Sequence, residues 1–112
     1  MSIYFYNTLS RQKEEFRPIE EGVVRLYTCG PTVYNFAHIG NYRAFVFEDL
    51  LRRFLKFKGF RVIQVMNITD VDDKIITAAN REGVSIREFT EPFRQAFMED
   101  LTTLGIEPAE YY

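Results

Sequence analysis

Two strand patterns separated by one long amphipathic helix pattern limit the folds that this chain can adopt. Residues 23–29 (VVRLYTC) and 60–69 (FRVIQVMNIT) are rich in β-branched and aromatic residues, as strands are. Residues 41–58 between them have helical spacing, with an apolar face of Phe47, Leu50, Leu51, Phe54 and Leu55. This order predicts a βαβ unit with parallel strands and a right-handed crossover. We expect an α/β fold whose second strand is buried on both faces, because its apolar run is almost continuous.

The chain is expected to be one incomplete domain. A leading segment, 1–22, contains a short strand at 3–6 and a polar surface loop at 10–22. The βαβ unit occupies 23–69, and 70–112 is helical. Two parallel strands leave open sheet edges, and the last helix has an aromatic stripe with little to pack on. We therefore expect the chain to be the first part of something larger.

Capping residues predict where the second helix begins and ends. Residues 69–83 (TDVDDKIITAANREG) predict a helix capped by Thr69 or Asp70 and ended by Gly83. The acidic residues at its start could bind magnesium or complement the helix dipole, and capping is favoured for Asp72 and Asp73. The run 67–70 also ends the second strand, where Thr69 could hydrogen-bond a small substrate.

A third helix is predicted by the capping box of Ser85 and Glu88. Its apolar face consists of Ile86, Phe89, Phe93, Phe97, Leu101 and Leu104. Pro92 should kink this helix or split it in two, because proline lacks the backbone N–H.

Composition excludes several classes of protein. The 112 residues are 46% hydrophobic, which excludes a disordered chain, and the net charge of −2 provides no global attraction for nucleic acid. One cysteine cannot form an internal disulfide, so the cytoplasm is the expected compartment. The longest uncharged run, 26–42, is broken by glycine and proline and excludes a membrane helix. A monomer is favoured.

The basic residues of the first helix and its end are expected to form a solvated face. They are Arg52, Arg53, Lys56, Lys58 and Arg61. Glu48 and Asp49 have the spacing to pair with Arg52 and Arg53 at i,i+4, so no RNA site is inferred from this cluster.

The loop 30–41 (GPTVYNFAHIGN) follows the first strand, where parallel sheets bind ligands. Gly30 and Gly40 would let a ligand approach the backbone, and His38 precedes a helix N-terminus that could bind phosphate. The alternative is that the glycines are turn residues and His38 is a loop residue.

Cys29 has three interpretations. A small buried hydrophobic residue at a strand end is favoured over a metal ligand, because zinc requires three or four protein ligands and the chain has one cysteine and one histidine. A nucleophile with His38 as its base lacks an orienting third group.

The sequence resembles a known family over nearly its whole length. His38-Ile39-Gly40-Asn41 resembles the His-Ile-Gly-His signature of class I aminoacyl-tRNA synthetases. The runs YTCGPTVYNFAHIGNYRAF (27–45), VMNITDVDDKII (65–76) and IYFYNTLSRQKEEF (3–16) are similar to the cysteinyl-tRNA synthetases in particular.

The resemblance implies a Rossmann-like catalytic fold of the His-Ile-Gly-His type. Such enzymes activate L-cysteine with ATP and Mg²⁺ as cysteinyl-adenylate and transfer it to tRNA(Cys). The resemblance also implies a Zn²⁺ ion that binds the thiolate of the substrate, with Cys29 as one ligand and the others beyond residue 112.

The resemblance implies further roles residue by residue. His38 and Asn41 are catalytic, with His38 stabilising the phosphates and Asn41 standing where the family commonly has histidine. Gly30 and Thr69 line the cysteine pocket, and Gly40 gives adenine room. The implied ATP-binding residues are Pro31, Thr32, Val33, Tyr34, Asn35, Phe36, Ala37, His38, Ile39, Gly40 and Asn41.

The family's other zinc ligands, its Lys-Met-Ser-Lys-Ser loop and its anticodon-binding region are expected further along the chain than residue 112. The 112 residues would then be an N-terminal part that is inactive alone. Two alternatives remain. One is an ATP-dependent cysteine ligase of the mycothiol type, and the other is a truncated, non-catalytic module.

Overall fold

The predicted βαβ unit is present in the computed structural model, which describes residues 2–112. Strand β3 (Val23–Thr28), helix α1 (Ile39–Phe57) and strand β4 (Arg61–Met66) follow one another along the chain. The two strands pair in parallel, with Val23 opposite Arg61 and Thr28 opposite Met66. Their carboxyl ends therefore lie side by side, and the α/β fold predicted from the sequence is confirmed.

An antiparallel hairpin precedes this unit. Strands β1 (Tyr4–Asn7) and β2 (Gln12–Glu15) pair with each other. The predicted first strand exists, whereas the prediction of a loop throughout 10–22 is wrong for β2. The side chains of β2, QKEE, are all exposed, so the strand lacks the alternating apolar pattern by which strands are recognised. Aromatic contacts join the hairpin to the residue before β4: Phe16 lies 5.4 Å from Phe5 and 6.1 Å from Phe60 between ring centroids.

Helix α1 contacts the sheet through a face that overlaps the predicted one only in part, at Leu51 and Leu55. The buried residues on α1 are Phe45, Arg52 and Leu55, whereas Phe47 is 64% and Leu50 62% exposed. Hydrophobic spacing identified Leu51 and Leu55 of the contacting face, but it missed Phe45 and Arg52. The difference arises because the stripe that faces the sheet includes a charged residue, Arg52, whose charge is paired by other parts of the chain.

Burial along β4 alternates, so the prediction that both of its faces are buried is wrong. Val62, Gln64 and Met66 are buried, and Val65 on the other face is exposed. Val62 packs in one cluster with Leu55 of α1, and Met66 packs in another with Phe45 of the same helix. Helix α1 therefore covers one face of the strand, and the buried face includes the polar Gln64.

Helix α2 (Asp73–Glu82) begins later than the sequence suggested. Asp72 caps it by accepting a hydrogen bond from the Ile75 N–H at 2.8 Å, so Thr69 and Asp70 are not its cap. The backbone of Thr69 bonds instead to the loop that follows β3. The helix ends as predicted at Gly83, which adopts a φ of 69° that glycine tolerates best.

Helix α3 (Ile86–Thr103) has the predicted capping box of Ser85 and Glu88. It continues as one helix through Pro92, so the prediction of a split is wrong. Buried side chains on both sides of the proline hold the helix against its neighbours. Phe89 packs with Ile75 of α2, and the Phe97 ring lies 5.2 Å from that of Phe45 on α1. The expectation that the aromatic stripe has little to pack on is therefore wrong as well.

Arg52 joins three parts of the chain in one hydrogen-bond network. Its guanidinium donates to Glu107 at 3.0 Å, to Glu110 at 2.7 Å and to Gln64 of β4 at 3.1 Å. Arg52 is only 6% exposed, which contradicts the prediction of a solvated basic face at this position. The predicted Glu48–Arg52 pair is absent among residues 2–112, whereas Arg53 does pair with Asp49 at 2.7 Å.

The network holds the last described residues beside β4. The bond from Arg52 lowers the pKa of Glu110 to about 2, which keeps that carboxylate charged. Tyr111 forms a parallel bridge with Val65, in which Met66 N–H donates to Tyr111 O at 3.0 Å. Tyr111 thus lies at the edge of β4 and is held there by backbone hydrogen bonds. Among residues 2–112, no helix combines the length and hydrophobicity needed to cross a membrane.

We expect Arg52→Ala to lower the free energy of unfolding by about 2 kcal/mol, because it leaves Glu110 without its cation and removes the buried donor to Gln64. Urea denaturation followed by circular dichroism measures the loss. Arg94→Ala is the matched control, since Arg94 forms an exposed ion pair with Glu91 on α3. The control should leave the unfolding midpoint nearly unchanged. Similar losses in the two variants would contradict the structural role of Arg52.

Candidate functional site

The carboxyl ends of β3 and β4 are joined by hydrogen bonds that also position the following loop. Asn67 N–H donates to Thr28 O at 3.3 Å, and Gly30 N–H donates to the side-chain oxygen of Asn67 at 2.7 Å. Thr69 N–H donates to Pro31 O at 2.9 Å, and Val33 N–H donates to Thr69 O at 3.0 Å. The loop after β3 therefore runs parallel to residues 67–69 before it turns towards α1.

Gly30 is required by the chain itself. A Cβ atom at this position would lie 1.9 Å from the backbone oxygen of Asn67 and 2.9 Å from Cγ of Met66. Neither separation is possible without a shift of the backbone. The sequence interpretation, in which Gly30 admits a ligand, is not needed to explain the residue. Gly40 differs, since its nearest atom would be Nδ1 of His38 at 3.4 Å.

Cys29 is exposed at the end of β3, so the favoured interpretation of a buried hydrophobic residue is wrong. No hydrogen bond joins it to His38 within the described residues, which gives no support to a nucleophile and base pair. No group of three or more His, Cys, Asp or Glu side chains in residues 2–112 could hold a metal ion. This also applies to the aspartates that precede and begin α2. An exposed thiol can still supply one ligand to a site completed by other residues.

His38 is the N-cap of α1, which begins at Ile39 and not at Asn41 as predicted. Its Nδ1 accepts a hydrogen bond from Gly40 N–H at 3.1 Å. Because Nδ1 acts as the acceptor, the neutral ring carries its proton on Nε2, which remains available as a donor. One ring nitrogen of His38 therefore caps the helix, and the other can donate a hydrogen bond to a ligand.

Asn41 completes the reciprocal half of this cap. Its side-chain oxygen accepts from His38 N–H at 2.8 Å, the role that Glu or Gln usually has in a capping box. The amide NH₂ group of Asn41 has no hydrogen-bond partner among the described residues and remains a donor. Asn41 thus has a structural role that the sequence did not indicate.

An open cleft of about 480 Å³ lies beside this helix start. It is lined by Gly30, Pro31, Thr32, Tyr34, Asn35, Phe36, Ala37, His38, Asn41 and Phe45. Most of the residues predicted to bind ATP are therefore brought together. Three are not: Val33 is only 1% exposed and faces the core, and neither Ile39 nor Gly40 lines the cleft.

Aromatic contacts fix the outer part of the loop to the helices. Lys74 of α2 places Nζ 5.1 Å from the centre of the Tyr34 ring, and Phe36 contacts Phe93 of α3 at 5.0 Å between centroids. At the start of α1, the Tyr42 hydroxyl donates to Asp100 of α3 at 2.5 Å. Burial and this contact raise the pKa of Tyr42, so the hydroxyl stays protonated and remains a donor.

A buried carboxyl group lies behind the strand ends. Burial raises the pKa of Glu48, and a hydrogen bond with Thr28 opposes that shift. Oε2 of Glu48 is buried and has no hydrogen-bond partner among residues 2–112. The hydroxyl of Thr28 also accepts from Gln64 Nε2 at 3.0 Å, so polar side chains lie directly beneath the last residue of β3.

The sequence placed Asn67 at the end of the second strand but predicted a substrate contact only for Thr69. The structure places both at the junction, and Asn67 Nδ2 donates to Thr69 Oγ1 at 3.4 Å. The signal that could have identified Asn67 was an amide side chain directly after a parallel strand, beside a glycine that follows the neighbouring strand.

Comparison with known proteins identifies related chains. The family described as "tRNA synthetases class I (C) catalytic domain" matches residues 15–112. A protein of Protochlamydia amoebophila named cysteine–tRNA ligase is 58% identical over 107 residues, which is 96% of this chain and 22% of the relative. The proteins of the same name from Chlamydia pneumoniae and Thermococcus kodakarensis are 56% and 52% identical, over 98% and 100% of this chain. The chain thus spans less than a quarter of the length of these relatives, 22% to 24%.

Substitution by alanine should destabilise the chain at Gly30 but not at Gly40. Gly30→Ala should lower the free energy of unfolding by at least about 2 kcal/mol, because its Cβ would overlap a backbone oxygen. Gly40→Ala should leave stability within about 1 kcal/mol, because the residue lies in the first turn of α1 with space around it. Urea denaturation of both variants measures the difference. Equal losses would show that Gly30 is not held against Asn67 as described.

Proposed function

The chain belongs to the class I (C) tRNA synthetase catalytic-domain family, and from this premise we propose that it forms the cysteine- and ATP-binding start of a cysteine–tRNA ligase. The observation that carries the proposal is the loop from Cys29 to Asn41. This one loop has an exposed thiol at its beginning and a histidine-capped helix beside an open cleft at its end.

In the proposed reaction, a carboxylate oxygen of L-cysteine attacks the α-phosphorus of ATP, which is bound with Mg²⁺. The bond from the α-phosphorus to the bridging oxygen breaks, and pyrophosphate leaves with the electron pair. A hydroxyl of the terminal ribose of tRNA(Cys) then attacks the carbonyl carbon of cysteinyl-adenylate, and AMP leaves. Both steps require the protein to hold the reactants and to stabilise negative charge on phosphate.

The end of the loop is suited to ATP. The helix dipole favours negative charge at the start of α1, although the N–H groups of Gly40 and Asn41 are themselves bonded to His38. We assign the cleft to the nucleotide and the Nε2 proton of His38 to the phosphate oxygens on which charge develops. The free amide of Asn41 is a second donor, and the lack of a side chain at Gly40 leaves room for adenine.

The beginning of the loop is suited to the amino acid. Cys29, Gly30 and Thr69 lie together where the strands end, and the Thr69 hydroxyl can donate to a bound substrate. Cys29 would hold a Zn²⁺ ion together with residues outside 1–112. Such an ion supplies a soft Lewis acid that prefers the thiolate of cysteine to the hydroxyl of serine. We also propose that the protein is located in the cytoplasm and is a monomer.

A chimera tests the function. In it, this chain replaces the matched segment of the full-length Thermococcus kodakarensis relative, which covers all 112 residues. Cysteine-dependent exchange of pyrophosphate into ATP by the chimera would support the proposal. A folded chimera without exchange would refute it.

We expect His38→Asn in the chimera to lower kcat for pyrophosphate exchange by about 100-fold or more, because the shorter asparagine amide does not place a donor where Nε2 of histidine lies. Asparagine is itself a good N-cap, so the thermal midpoint should remain close to that of the parent. His38→Ala should lose both the rate and about 1 kcal/mol of stability from the cap. An unchanged exchange rate in His38→Asn would remove His38 from the chemistry.

Cys29→Ser should lower the zinc content of the chimera and weaken its discrimination of cysteine from serine, because a serine hydroxyl is seldom deprotonated and is a poorer ligand. Zinc is measured by mass spectrometry of the purified protein, and discrimination by the ratio of kcat/KM values for the two amino acids. Thr77→Ser, on the exposed side of α2, is the control and should change neither. Equal zinc in Cys29→Ser and the parent would assign Cys29 no role in metal binding.

A further inference from the structure

We propose that Asn67 is a positioning residue that sets the geometry of the amino-acid half of the site. The inference rests on the proposed function for its link to cysteine, but its structural basis is independent of that function. Asn67 directly follows β4, at the edge of the sheet where the loop after β3 also begins.

Asn67 forms two hydrogen bonds with the residues on either side of Cys29, one as donor and one as acceptor. The backbone N–H of Asn67 donates to the oxygen of the residue before Cys29, Thr28, at 3.3 Å. Its side-chain oxygen accepts from the N–H of the residue after Cys29, Gly30, at 2.7 Å. The backbone on both sides of the exposed thiol is therefore attached to a single residue, while the thiol itself remains accessible.

The close approach of Gly30 strengthens this attachment. The space for a Cβ on Gly30 is filled by the backbone oxygen of Asn67, 1.9 Å from the ideal Cβ position. Asn67 thus holds Gly30 through its side chain and restricts it through its backbone. Gly30 cannot move towards β4, and it loses a short hydrogen bond if it moves away.

The remaining polar group of Asn67 reaches the third residue of this half-site. Its Nδ2 donates to Thr69 Oγ1 at 3.4 Å, a long contact that leaves the hydroxyl proton of Thr69 free to donate elsewhere. Asn67 therefore contacts or encloses Cys29, Gly30 and Thr69, whereas it has no hydrogen bond to His38 or Asn41. Gly30 also lines the cleft assigned to ATP, but it lies at the end next to Cys29, so the influence of Asn67 should fall mainly on the amino acid.

The first test uses the 112-residue chain and the hydrogen exchange of individual backbone amides, measured by NMR. Asn67→Ala should speed exchange of the Gly30 amide about tenfold more than it speeds exchange of the Val62 and Leu55 amides. The reason is that the acceptor of the Gly30 N–H is removed. Asn67→Asp keeps an acceptor oxygen and should retain the protection. Asn80→Ala, an exposed asparagine on α2, is the matched control and should have no effect. Unchanged Gly30 exchange in Asn67→Ala would overturn the proposal.

The second test uses the chimera and separates the two substrates. Asn67→Ala should raise KM for cysteine in pyrophosphate exchange by about tenfold and leave KM for ATP within about twofold, because only the amino-acid half loses its support. Asn67→Asp should give a KM for cysteine closer to the parent. Equal rises in both KM values, or no rise, would overturn the positioning role. A parent chimera without exchange would instead refute the proposed function, and the Gly30 amide would still decide the role of Asn67.

Discussion

The parallel pairing of β3 with β4 is the constraint on which the other features depend. Parallel strands need a long crossover, and α1 provides it across one face of the pair. Their carboxyl ends then meet at one edge, which brings Cys29 and Gly30 close to Asn67 and Thr69, although almost 40 residues separate them in sequence. The site is therefore a product of the topology before any single side chain contributes to it.

The crossover helix is held to the sheet partly by a buried charge. Burying a guanidinium is costly, and Arg52 offsets the cost through hydrogen bonds to two carboxylates and an amide. Those carboxylates belong to the segment that places Tyr111 beside β4. One side chain consequently couples the position of α1, and with it the His38 cap, to the parallel bridge between Tyr111 and β4.

The sequence predicted features that depend on neighbouring residues. The order of strand, helix and strand, the capping box of Ser85 and Glu88, and the glycine end of α2 at Gly83 each follow from a short run of residues, and all are present. The position of His38 before the first crossover helix belongs to the same class, although the helix begins two residues earlier than predicted.

Features that depend on distant partners were not predictable in this way. The burial of Arg52 requires Glu107 and Glu110, which lie 55 and 58 residues away along the chain. The strand β2 has only polar side chains and exists because β1 pairs with it. Cys29 is exposed because the strand ends open towards solvent. The residues around Cys29 in the sequence do not show whether a strand end is covered by other parts of the chain.

Val33 lies between the two halves of the loop after β3, one with Cys29 and Gly30 and the other with His38 and Asn41. Its side chain is buried and its backbone is bonded to Thr69, so the loop is anchored at its middle. Displacements at Cys29 and Gly30 are therefore poorly transmitted to His38 and Asn41. Substitutions near Cys29 could therefore alter the amino-acid half of the proposed site without displacing His38 and Asn41 in its nucleotide half.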